Sequence, residues 1–319
     1  MAHTNNKLSI IMKYEKTLAV LAGLTFAGSL AHAQIAVGDN LSISGFSSMS
    51  YNNGDDDTNF NVDEVEIDFG FSFDKVSAEV HLQSEDLGDL AVEQAFISTD
   101  INGITISAGR MLNLLGFESD ELTGLSFSNH AYENNPTRRY NEGVRGAFSQ
   151  GDLSIAASVL DNYSNSLNGT SNPAQANDLD EIAFEVAASY TGIENLSVSL
   201  GYASSDDDSG HGDFSLTNLH ASYSLGQITL GGEYNDWEIG ADEVDAYLLM
   251  ATYAVNDALD LAIRYSEEDS DTAARTSEKT SVSASYTVSD NLLTRVEYND
   301  GEVNANENDE FVIQGILSF

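Results

Sequence analysis

Carboxylates dominate this chain, and their spacing limits what they can do. Glu64, Glu66 and Asp68 alternate with Val65, Ile67 and Phe69. Successive side chains on an extended strand point to opposite faces, so the three acids share one face and the apolar residues the other. Glu79 and His81 repeat the arrangement on the next segment, as do Glu185 and Glu233 further on. Arg145, Arg264 and Arg295 occupy equivalent positions, and Arg110 stands where a long connection begins. Such a set can draw ions to a wetted surface. It does not read as a catalytic centre. The later histidines are His81, His130, His211 and His220, with no Gly-x-Ser-x-Gly and no His-Glu-x-x-His nearby. Cysteine is absent, which removes thiolate nucleophiles, thiolate ligands and disulfides together. No enzyme activity and no cofactor or metal site is expected.

Acidic clusters also recur in connections, at Asp55–Asp57, Asp206–Asp208 and from Glu267 to Asp271. They resemble calcium ligands in type but not in spacing. An EF-hand loop needs Gly at its sixth position and Glu at its twelfth; counted from Asp55, those positions hold Phe60 and Glu66. The clusters read as solvated loops, with weak divalent bridging to anionic lipid headgroups as the alternative. A formal net charge of −40 argues against nucleic acid as a partner.

The elements that must position these residues are strands. The N-terminus reads as a leader over residues 1–33: Lys13 and Lys16, an apolar stretch from Thr17 to Leu30, then the small-x-small site Ala31-His32-Ala33. Export with cleavage after Ala33 is expected, leaving residues 34–319 as one domain. From there alternation runs along the chain, as in Leu196-Val198-Leu200-Tyr202, Ile228-Leu230-Gly232-Tyr234 and Leu259-Leu261-Ile263-Tyr265. About sixteen strands are expected between Asn40 and Phe319. The fourth, Ala91–Thr99, is poorly phased, and Leu248 and Met250 break the pattern in the twelfth. Tight connections rich in Gly, Asn and Asp alternate with longer acidic ones. Tyr190, Tyr202, Tyr223, Tyr234, Tyr253, Tyr265, Tyr286 and Tyr298 recur near strand ends on the outward face, and Phe319 closes the last strand. Tyrosine suits a membrane interface because its ring is apolar and its hydroxyl wants water. In lipid every backbone group must be paired. The expected fold is therefore all-β, a closed antiparallel transmembrane β-barrel with short periplasmic turns and longer outer loops.

Within that architecture the stretch from Val92 to Asn165 carries Glu93-Gln94-Ala95-Phe96-Ile97, Ala108-Gly109-Arg110, Gly116-Phe117-Glu118 and Glu142-Gly143-Val144-Arg145. The sixteen-strand architecture of residues 34–319 resembles the Gram-negative outer-membrane porin superfamily, and these motifs look most like its OmpL-like beta-barrel porin-2 group. The resemblance implies passive diffusion of small hydrophilic solutes and ions across the bacterial outer membrane, and a trimer.

Three expectations follow. Residues 112–139 form the longest outer loop and fold inward, with Glu118, Asp120 and Glu121 near the narrowest part and Arg145, Arg264 and Arg295 opposite them. Glu64, Glu66, Asp68, Glu79, Arg110, Arg145, Glu185, Glu233, Arg264 and Arg295 line the passage, and the excess of carboxylates favours cations. The early strands lack the aromatic girdle and show small or β-branched residues outward, among them Ala78 and Ala108, which suits a homotrimer interface. A solute-specific channel, for instance for anions, and a non-conducting structural or adhesive barrel are the alternatives.

Overall fold

The computed structural model describes residues 34–54, 58–132, 137, 140–161, 182–206, 213–271, 276–303 and 306–319. The expected leader and its cleavage position lie outside them, as do Asp55–Asp57, Asp207, Asp208, Pro136, Pro173, Arg139 and His211. The strands are β1 (Ile35–Val37), β2 (Leu41–Gly54), β3 (Thr58–Ser72), β4 (Val76–Glu85), β5 (Ala91–Ile101), β6 (Ile104–Leu112), β7 (Tyr140–Gln150), β8 (Leu153–Leu160) and β9 (Ala183–Ile193). There follow β10 (Leu196–Ser205), β11 (Phe214–Leu225), β12 (Ile228–Ile239), β13 (Asp242–Asn256), β14 (Leu259–Ser270), β15 (Ser277–Ser289), β16 (Leu292–Val303), β17 (Asn306–Glu307) and β18 (Glu310–Ser318). Among the described residues the only helix is a 3₁₀ turn, Leu122–Gly124.

All pairings are antiparallel, each wall strand to its chain neighbours, and the sheet closes. β18 pairs with β2, Ile313 facing Tyr51 and Ser318 facing Phe46. Gly45 and Phe319 exchange two backbone hydrogen bonds at 3.0 Å. β1 lies against the start of β2, Ile35 opposite Ile43, and β17 is a short addition to β16. The wall is thus the expected sixteen strands, β2 to β16 and β18. Closure leaves no sheet edge, which is what hydrocarbon demands.

The connections at the end holding both termini are tight: Asn102-Gly103, Gly151-Asp152, Glu194-Asn195, Gly226-Gln227, Asp257-Ala258 and Asp290-Asn291. Asn102 (φ 57°) and Gly103 (φ 85°) both have the positive φ that a type I′ turn requires. At the other end most connections are longer. Gly240-Ala241 is an exception, and β12 and β13 meet there in a tight turn too.

Alternation sorts the side chains. Along β18, Val312, Gln314, Ile316 and Ser318 are buried inward, while Ile313 and Leu317 are about half exposed on the outside. The same outward row of Leu, Ile, Val and Tyr runs round the wall. An apolar band of that extent is at home only in lipid. Tyr190, Tyr223, Tyr253 and Tyr286 mark the tight-turn rim, and Tyr202, Tyr234, Tyr265 and Tyr298 the other. At that second rim, tyrosine hydroxyls donate to acidic neighbours, Tyr234 to Asp245, and Tyr247 and Tyr265 to Glu267.

Five register shifts interrupt the pairing; three lie beside tight turns, and two bring an acid inward. Between β2 and β3 the register slips at Asp63, whose carboxylate accepts hydrogen bonds from Ser48 at 2.8 Å and Ser50 at 2.6 Å. Between β4 and β5 it slips at Glu93, so that Glu93 and Gln94 both turn inward. A bulge sets two residues against one, which is why the fourth segment looks out of phase in sequence.

Gly109 (φ 136°) faces Phe96 on one side and Gly143 on the other. A Cβ there would come within 2.2 Å of the Ala95 carbonyl oxygen and 2.7 Å of the Phe96 Cα. Gly109→Ala meets both a disfavoured backbone region and a backbone clash, with a cost of about 1–3 kcal/mol. The folded, fast-migrating band on an unheated gel should be lost at a lower temperature than in the parent; an unchanged transition would contradict this account.

Candidate functional site

The connection after β6 enters the barrel, and its residues 112–132 lie against the inner wall. Three apolar patches on that wall receive it. Leu114 and Leu115 pack with Leu160, Phe214, Leu216, Trp237 and Ile239. Phe117, Phe127, Ala131 and Tyr132 pack with Ala246, Leu248 and Met250. Leu122 packs against Phe46, Leu293 and Ile316. Leu248 and Met250 break the pattern of β13 because they face this segment and not water. Burying each large apolar side chain contributes about 1.5–3 kcal/mol.

Polar anchors follow the same path. The Leu114 amide donates to Glu185 at 3.0 Å and the Phe117 amide to Glu233 at 2.9 Å. Asn218 donates to both Glu233 and Asn235 at 2.7 Å, fixing the acceptor that Phe117 uses. Farther round, the Ser128 amide donates to Glu297 at 2.6 Å. Ser266 and Ser283 hold the carbonyls of Ala131 and Ser126, and Lys279 holds that of His130 at 2.9 Å.

The arginines do not stand across open water from an acidic loop, as the sequence leads one to expect. Arg264 is fully buried. It donates to Glu118 at 2.6 Å, to the Asn129 carbonyl at 2.9 Å and to the Asn129 side chain at 2.9 Å, with Phe127 under its guanidinium at 4.3 Å. Arg295, equally buried, donates to the carbonyls of Phe127 and Leu125 at 2.5 Å and to Gln314 at 2.9 Å. Arg145 donates to the Leu112 carbonyl at 2.6 Å and to Glu185 at 2.9 Å. A guanidinium carries five donors in a rigid fork, and here those donors grip the segment itself. Glu118, clasped by Arg264 and by the Ala131 amide at 2.7 Å, is a paired anchor.

Arg110 needs a second correction. Ser107 faces inward against Ser98, so period two sends Arg110 the other way. It shares a row with Ala95 and Glu142, the face of Ile97 and Val144, and donates to Glu142 at 3.0 Å. It does not line the lumen.

Glu64, Glu66, Asp68 and Glu79 do face inward, on β3 and β4. His81 Nδ1 lies 3.3 Å from both Glu66 Oε1 and Asp68 Oδ1, and Nε2 lies 3.4 Å from Glu79. Gln83 donates to Glu64 at 2.8 Å. The loop brings Glu121 to Glu66, His81 and Glu93, and a ligand-type atom from each of the four lies within 4.8 Å of the others. Burial, and then the facing Glu66 carboxylate, hold the Glu121 carboxyl well above the ordinary carboxylate range; Asp120 adds to the negative field. Glu93 and Asp63 are absent from any strict period-two list, since each sits at a bulge. The irregular phase of the fourth segment is the one sequence signal for Glu93.

Arg264→Ala would leave the Asn129 carbonyl without its donor and Glu118 with the Ala131 amide alone. Removing one partner of a buried ion pair costs about 3–5 kcal/mol, and the expected result is local release of the segment from a barrel that stays folded. Amide hydrogen exchange should show Ser128 and Ala131 losing protection while strand amides keep theirs. Full protection of both amides would count against the anchoring role.

A family model described as Gram-negative porin matches residues 17–306. The search of curated proteins gives no match. Among solved structures, OmpF of Salmonella typhi has a TM-score of 0.70 at 14% identity, covering 90% of this chain and 100% of its own. The anion-selective porin of Comamonas acidovorans has 0.68 at 11% identity, covering 88% and 99%. OmpT of Vibrio cholerae, an outer-membrane protein also solved in a trimer form, has 0.65 at 14% identity, covering 90% and 100%. At these identities the structures speak for the fold alone. The family match is at the level of the Gram-negative porins, and the narrower OmpL-like group stays a resemblance. The matched span takes in the inserted segment and nearly all of the wall, and the chain belongs to the Gram-negative porin family.

Proposed function

We propose that this outer-membrane porin is a non-enzymatic diffusion channel for small hydrophilic solutes and ions, that it prefers cations, and that residues 112–139 are its constriction. One observation carries the preference. Inward arginines are spent on the loop and on Glu118 and Glu185, whereas the lumenal carboxylates Asp68 and Glu79 have no arginine or lysine ion pair among the described residues. Fixed negative charge in a narrow passage concentrates counter-ions. The alternative is anion selectivity, the property named for the Comamonas acidovorans neighbour, but the basic groups it needs here are already engaged. A cleaved leader at residues 1–33 belongs to the same reading.

The experiment is a planar-bilayer recording under a potassium chloride gradient. The reversal potential should show cation preference at low salt that fades as ionic strength rises, because screening shortens with salt. A barrel lacking Gly116–Leu125 should conduct more. Anion preference in the parent would defeat the charge argument. Unchanged conductance in a folded deletion variant would defeat the constriction.

The reading extends to a homotrimer. Outward Ala78, Ile97, Ala108, Val144 and Val159 lie in one row across β4 to β8, on a wall poor in rim tyrosines. Small residues let barrels approach closely, and OmpT of Vibrio cholerae has a trimer form. Light scattering should give three chains per particle, and Ala78→Arg with Ala108→Arg should reduce this to one. A monomeric parent would refute it.

A further inference from the structure

The group on β3, β4, β5 and the inserted segment points beyond a water-solvated porin wall. We propose that Glu66, His81, Glu93 and Glu121 bind a divalent first-row transition-metal ion, which fastens the loop to the wall on the side where no guanidinium does.

Four observations support it. First, the geometry is close to that of one ion. Ligand atoms that all lie within 4.8 Å of one another need only small side-chain adjustments to reach a shared cation at about 2.0–2.2 Å, the length of zinc–nitrogen and zinc–carboxylate bonds. Second, the buried carboxyl groups lack donors. Glu66 is fully buried and Glu93 nearly so; no N–H or hydroxyl donor reaches either oxygen of Glu66 or Oε2 of Glu93, and the group facing Glu66 is the Glu121 carboxyl. Burying carboxyl groups without donors is costly. His81 is the one basic side chain placed beside them among the described residues, and its 3.3 Å approaches exceed the roughly 2.7–2.9 Å of a charge-assisted hydrogen bond.

Third, the imidazole is set up as a ligand. Its Nδ1 lies 3.3 Å from Glu66 Oε1, on the side of the proposed ion, and its Nε2 lies 3.4 Å from the Glu79 carboxylate. A metal-bound histidine typically donates its other N–H to a carboxylate in this manner. On binding, the ion replaces the long Gln94 contact at Nδ1. Fourth, on β14, β15 and β16 cationic side chains hold the segment: Arg264, Lys279 and Arg295. At β3 to β5 Glu121, just before the 3₁₀ turn, meets carboxyl groups instead, and a bound cation supplies what the wall lacks there. The mixed ligand set selects among ions, since imidazole suits zinc-like metals and oxygen-only sites suit calcium and magnesium. The acidic outer loops, which the sequence offers as divalent sites, are not involved.

Zinc chloride is the probe, titrated calorimetrically into the folded, chelator-stripped full-length barrel in detergent. The expected result is one equivalent bound by the parent and by Glu194→Gln, an exposed turn variant. Affinity should fall at least about tenfold in Glu66→Gln and in His81→Ala, the scale of losses at metal-site residues, and calcium should not compete at equal concentration. In the parent, where no folding defect can intrude, zinc should slow amide exchange at Gly124, whose amide donates to the Glu121 carbonyl. Absence of zinc binding by the parent, unchanged affinity in both variants, or displacement by equimolar calcium would each overturn the proposal. None of these readouts depends on conduction, so a failure here is separable from a failure of the channel reading.

Discussion

Pairing of the backbone is the constraint from which the rest of this structure descends. In hydrocarbon an open sheet edge has no solvent to satisfy it, so β18 must find β2, and the Gly45–Phe319 bonds complete the circuit. Closure fixes an inside and an outside for every residue. It turns a weak alternation into an apolar outer band and a polar inner wall, and it encloses a space into which a long connection can descend. The inserted segment then inherits an unusual environment. Its own backbone groups leave bulk water and need partners, and the wall supplies them: Glu185, Glu233 and Glu297 for amides, and Arg145, Arg264, Arg295 and Lys279 for carbonyls.

The architecture was legible because a barrel strand must repeat with period two. Strand positions, the even count, the side of the tight turns and the tyrosine rims all derive from that one regularity, and so does the inward placement of Glu64, Glu66, Asp68, Glu185 and Glu233. What escaped was whatever departs from it or depends on tertiary contact. Asp63 and Glu93 reach the lumen through bulges, which shift phase by one residue and leave no clear mark in composition. Leu248 and Met250 looked like defects of β13 because their partners, Phe117 and Phe127, lie more than a hundred residues away. Arg264 and Arg295 were correctly placed on the inner face, but no local pattern says whether a lumenal guanidinium meets water, a side chain or a peptide carbonyl. Arg110 was misplaced for a different reason: its position at the mouth of the loop outweighed the simple parity that sends it outward with Ala108.

The two sides of the lumen differ in kind. At β14 to β16 the loop is held by positive side chains and a packed aromatic contact, an arrangement complete within the chain. At β3 to β5 it meets like charge, and what stabilises that meeting lies outside the covalent structure, in a proton or an ion. The same segment is therefore firmly seated at one flank and conditionally seated at the other.

Arg295 and Arg264 take hold of peptide oxygens at Leu125, Phe127 and Asn129, and a peptide oxygen is the same whichever amino acid bears it. At those oxygens the grip is blind to side chains, although Arg264 also reads those of Glu118, Phe127 and Asn129. Side chains of the segment that make none of these contacts can change, altering the character of the opening while its frame endures. The barrel in this respect behaves as a holder for an exchangeable insert, in which permeation properties can be retuned without renegotiating the fold.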